Sequence, residues 1–88
     1  MVETEIVLKE ELGANLGPRH KMEELFENID GNTSQVIMNF EGVEFMGRSI
    51  AQEYLNQKHV ASFEVIEKNV PNDVQKMLDM ILKLNNKE

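Results

Sequence analysis

Ser49 follows Gly47 and Arg48 at the end of a strand-like run and precedes a helix-like one. α/β domains often place binding or switching residues at such a strand-to-helix connection. A serine nucleophile would need a neighbouring base, an orienting acid and the G-x-S-x-G turn, and Ser49 lacks that turn. Hydrolytic metal chemistry would need clustered ligands, yet His20 and His59 are far apart and in neither H-x-x-x-H nor H-E-x-x-H spacing. The chain has no cysteine, so thiolate nucleophiles, thiolate metal sites and disulfides are excluded. The glycines of the segment GANLGPR have the wrong spacing for a phosphate loop, and no Lys-Ser/Thr follows them. Glu10-Glu11 and Glu23-Glu24 are adjacent pairs in polar segments, which suits a solvated face better than paired acid and base. The residues therefore predict no enzyme, no cofactor and no metal.

Charge narrows the partners. The net charge is -7, and residues 1–30 carry most of it, with eight acids against three bases. A surface of this sign repels phosphate backbones and anionic membranes, so neither nucleic acid nor a membrane is expected as a partner. The acidic start MVETEIVLKEE differs from a secretory signal, and no apolar run reaches the length of a membrane span. The sequence expectation is a cytoplasmic protein.

The elements that must position Ser49 alternate between strand and helix. Residues 4–9 have period-two patterning around Ile6 and Leu8, which predicts a strand. Pro18 then opens a predicted helix over 18–30, with Met22, Leu25, Phe26 and Ile29 on one face. Residues 35–40 contain the continuous apolar run Val36-Ile37-Met38, which predicts a strand covered on both faces. After a Glu41-Gly42 turn, Val43, Phe45 and Met46 are expected to return to the core, and a helix follows over 50–58. Ser49 and Gln52 form an S-x-x-Q capping box, so Ser49 reads as the N-cap of that helix. A strand over 62–68 and a last helix opened by Pro71, with Asn72 as N-cap, complete the pattern. The last helix carries Val74, Met77, Leu78, Ile81 and Leu82 as its stripe, widened by Met80 and Leu84.

Eighty-eight residues suit one domain, here 1–88 with a core over about 4–84. The order βαβαβα with short connections predicts a mostly parallel sheet with right-handed crossovers. Strands in sequence order would put the helices mainly on one face. An apolar bare face opposite them would favour a homodimer or another protein partner.

Residues 40–54, FEGVEFMGRSIAQEY, resemble the switch segment of the STAS superfamily, the anti-sigma factor antagonist fold. They are closer still to the STAS-like domain family of unknown function. There, an L-G-x-R segment opens the first helix, F-x-G-V-x-F precedes a serine, and the next helix starts S-h-A-x-E. The corresponding residues are Leu16-Gly17-Pro18-Arg19, Phe40-Glu41-Gly42-Val43-Glu44-Phe45 and Ser49-Ile50-Ala51-Gln52-Glu53. The resemblance spans most of residues 4–84. It implies a βαβαβα superhelix that acts by protein binding, and a partner of the histidine-kinase-like ATPase type, the anti-sigma kinases. It also implies a switch by serine phosphorylation. In this chain Gly47 stands at the acidic switch position, Arg48 at the phosphorylated serine and Asn39 at a common aspartate, while Ser49 matches the serine that follows.

The functional expectation is a non-catalytic regulatory module that docks through Gly47, Arg48, Ser49, Ile50 and Glu53. Ser49 is the candidate phosphoacceptor, Asn39 a latch for the loop ahead of it, and Arg48 a surface cation positioned to pair with Glu53. The alternative is a small-ligand or nucleotide sensor that uses the same loop.

Overall fold

The computed structural model describes residues 2–85, with side chains for 3–84. The ends of the expected 1–88 span lie outside the described residues. The chain runs through β1 (Val2–Val7), α1 (Leu8–Leu12), β2 (Asn15–Leu16), α2 (Arg19–Glu27), β3 (Thr33–Asn39), β4 (Phe45–Met46), α3 (Arg48–Val60), β5 (Glu64–Lys68) and α4 (Asn72–Asn85). Strands β1, β3 and β5 form a parallel sheet in that spatial order, and β2 pairs with β4 in a second parallel sheet. The described residues thus form an α/β fold with four helices and parallel sheets of three and two strands.

Alternation along the three-stranded sheet separates its faces. Val36 and Met38 are fully buried on the helix-covered face, where α2 packs on α3 and α3 on α4. Ile37 points the other way and is only half-buried, so β3 is not covered on both faces as its apolar run predicts. The opposite face is largely polar. Its register rows are Glu3, Gln35 and Glu64; Glu5, Ile37 and Ile66; and Val7, Asn39 and Lys68. Side chains bridge these rows, with Asn39 Nδ2 donating to Glu5 Oε2 at 3.0 Å and Lys68 Nζ lying 3.9 Å from the same oxygen. Polar groups surround the two isoleucines, which weakens the expectation of an apolar bare face.

Tyr54 sits at the centre of the covered side. Its ring lies edge-on to Phe40 at 5.7 Å and tilted against Phe26 at 6.1 Å. Glu67 would otherwise put a carboxylate into this core, because its register partner on β3 is the buried Met38. Tyr54 and Lys58, one turn apart on α3, satisfy it: the Tyr54 hydroxyl donates to Glu67 Oε2 at 2.6 Å, and Lys58 Nζ lies 3.0 Å from the same atom. Burial, reinforced by the hydrogen bond and charge of Glu67, pushes the Tyr54 phenol well above its ordinary range.

Several boundaries differ from the sequence expectation. β1 ends at Val7, because Leu8 is fully buried and begins the short helix α1. α2 starts at Arg19 with Pro18 as its N-cap and ends at Glu27, ahead of an Asp30 turn in which Oδ1 accepts from the Asn32 amide at 2.8 Å. In α4 the Pro71 carbonyl accepts the first helical bond, from the Gln75 amide at 2.9 Å, so Asn72 is the first helical residue and not the cap. Leu82, expected on the core stripe, is exposed along with Met80 and Leu84. Among the described residues no helix is long and apolar enough to cross a membrane.

Candidate functional site

The loops ahead of α2 and α3 are joined by backbone. The Ala14 carbonyl accepts from the amides of Glu44 and Phe45 at 2.8 and 3.2 Å, and the Leu16 carbonyl accepts from Gly47 at 2.7 Å. This β2–β4 pairing starts the two helices side by side, with Arg19 and Arg48 as their first residues.

The anchoring of Gly47 decides where α3 begins. Gly47 is extended, with φ −69° and ψ 161°, and its carbonyl accepts from the Ala51 amide at 3.0 Å, which makes it the N-cap. Ser49 is therefore the second helical residue, exposed in the first turn, and the capping box does not form. Gln52 instead donates along the helix to Asn56 Oδ1 at 3.1 Å. No side chain caps this helix, and no acid lies in its first turn.

The other expected site residues divide between surface and core. Arg48 is exposed. Ile50 is fully buried, so it belongs to the core and presents nothing to a partner. Glu53 is also buried, and its carboxylate is held by Arg19 Nη2 at 2.8 Å and by Gln57 Nε2 at 2.7 Å. The expected Arg48–Glu53 pair does not occur. Five residues along a helix place side chains about 140° apart, whereas neighbours on one face are three or four residues apart.

Asn39, expected to latch the loop over Gly42 to Ser49, makes its hydrogen bonds just ahead of that loop. Its Oδ1 accepts from the Glu41 amide at 3.0 Å and from Asn69 Nδ2 at 3.1 Å, which ties the end of β3 to the end of β5. Gly42 follows with φ +83°, and a Cβ there would stand 2.6 Å from the Lys9 side chain, so the turn requires glycine.

Phe45 is a further residue that the sequence placed wrongly. Expected in the core, it is 55% exposed, because β4 is only two residues long and Met46 alone turns inward. Period-two alternation from the buried Val43 would have put Phe45 inside; pairing with β2 sets the orientation instead. The resulting corner holds Phe45, Arg48 and Ser49 from one loop and Arg19 from the other. Segments 17–21 and 45–50 contribute Arg19, Lys21 and Arg48, with the exposed acid Glu44 directly before Phe45, in a chain of net charge −7. Such a corner offers an aromatic anchor and guanidinium donors to a negatively charged surface.

Among the described residues no group of three His, Cys, Asp or Glu side chains could hold a metal ion. His20 lies near the start of α2 and His59 near the end of α3, both exposed. No protein-family model matches this chain, and no curated protein or solved structure matches it significantly.

Proposed function

We propose that this chain is a STAS-like interaction module that docks on another protein through the β4–α3 corner and performs no chemistry itself. The observation that carries the reading is Phe45, a large aromatic side chain left 55% exposed three residues ahead of the exposed Arg48. Aromatic and arginine side chains are the types that anchor protein interfaces. The resemblance of residues 40–54 to a STAS switch segment supports the same surface, and it suggests an ATPase of the histidine-kinase-like type as the partner. The contact residues are Phe45, Arg48 and Ser49. Glu53 acts behind them by holding Arg19, and Ile50 by anchoring the helix in the core. A phosphate on Ser49 would be accommodated by the uncapped helix start and would reverse the sign of the corner.

The test is affinity capture from a lysate of the source cells, with Phe45→Ser/Arg48→Glu as the comparison at matched melting temperature. A histidine-kinase-like ATPase retained by the native chain and lost by the variant supports the reading; equal capture by both overturns it. A saturable rise in melting temperature with ATP, abolished by Arg48→Glu, would instead favour the small-ligand alternative.

A further inference from the structure

The groove beside β1 has the opposite character to the β4–α3 corner. It is a cleft of about 390 Å³ between β1 and the end of α2. Half-buried Ile6, Leu25 and Ile29 give it apolar walls, Glu5, Glu11 and Asp30 also line it, and none of its described lining residues is basic. Two further features act in the same direction. Among the described residues β1 pairs with β3 alone, so its outer edge presents backbone N–H and C=O groups without a described strand beside them. α2 ends at this groove with no basic residue in its last turn, and Glu23, Glu24 and Glu27 add charge of the same sign as the helix C-terminal dipole.

We propose that this edge takes an extended, lysine- or arginine-rich segment of a partner protein, added as a strand alongside β1. An added strand alternates its side chains, so apolar residues can meet Ile6, Leu25 and Ile29 while basic ones meet the carboxylates. Glu5 already bonds Asn39 and lies near Lys68, so Glu11 and Asp30 are the acids with most capacity for a new cation. Charge selects this occupant over a second copy of the chain, whose own β1 carries Glu3 and Glu5 and would bring like charge to the same edge. Acids on an open edge thus discourage self-pairing and admit a basic strand.

The test uses the full chain, labelled with ¹⁵N, and a capped synthetic peptide of the length of β1 that alternates lysine and valine. Amide shifts should concentrate at residues 4–6 and 25–30, and a peptide with glutamate in place of lysine should not produce them. The double variant Glu11→Lys/Asp30→Asn, which keeps an oxygen for the Asn32 amide, should bind about tenfold more weakly. Peptides N-methylated at alternate amides, made in both registers, distinguish strand addition from simple charge attraction, because one register must lose binding. Shifts scattered over α3 or the open sheet face, unchanged binding by the double variant, or equal binding of both methylated peptides would overturn the proposal. Concentration-dependent shifts at 4–6 in the peptide-free protein would also overturn it, in favour of a second copy.

Discussion

Arg19, on the first turn of α2, holds the buried carboxylate of Glu53 on α3 at 2.8 Å, although the arginine itself is 67% exposed. The contact joins the two helix starts that frame the proposed docking corner. Arg19→Ala should lower unfolding stability by about 1 to 2 kcal/mol, because a buried carboxylate keeps only Gln57, while the exposure of the arginine limits the loss. Adding Glu53→Leu should restore part of it, since an apolar side chain leaves no charge to satisfy. Urea denaturation of the two variants measures both effects.

Tyr54 is the only tyrosine and the chain has no tryptophan, so tyrosinate absorbance reports this one site. Its phenol is raised in the folded state, so the folded protein holds the proton more tightly than the unfolded chain does. The resulting stability is full below the unfolded value of about 10 and is lost as pH rises above it, by at most about 1.4 kcal/mol per pH unit. Tyrosinate absorbance should therefore appear together with loss of the circular dichroism signal. Tyr54→Phe should reduce the alkaline slope of stability, while costing about 1 kcal/mol at neutral pH for the lost bond to Glu67.

Gly42→Ala should destabilise by roughly 1 to 2 kcal/mol from backbone strain at φ +83°, with further cost from the Lys9 contact. Truncating Lys9 to alanine in the same chain should recover the contact component and leave the backbone component. Thermal melts of the single and double variants separate the two.

Ser49→Ala should leave stability within about 0.5 kcal/mol, because Ser49 is past the N-cap. If Ser49 were the cap, the cost would be about 1 kcal/mol. Gly47→Asp should raise stability by a few tenths of a kcal/mol, since it adds the missing cap and a favourable charge at the helix start. A loss on Ser49→Ala comparable to a true cap would contradict the observed start of α3.

The longer elements were legible where local pattern and burial agree. Met22 and Phe26 on α2, and Val74, Leu78 and Ile81 on α4, are buried as their helical spacing requires. The docking corner was legible only in part. Arg48 and Ser49 are exposed as expected, while Ile50 and Glu53 are interior and Phe45 is outside. Glu53 reads as a surface acid by its type, and its burial rests on Gln57 one turn on and on Arg19, 34 residues away.

The sequence by itself determined a small acidic α/β chain with alternating strands and helices, because amphipathic periodicity and turn residues act over a few neighbours. Tertiary structure decided where α3 starts, which way Phe45 faces and what Asn39 and Glu53 bind. Each depends on backbone or side chains brought together from distant positions: Leu16 with Gly47, Asn15 with Phe45, Asn39 with Asn69, Arg19 with Glu53. A two-residue strand such as β2 or β4 has too little pattern of its own to be read, and exists because its hydrogen bonds are made by the other.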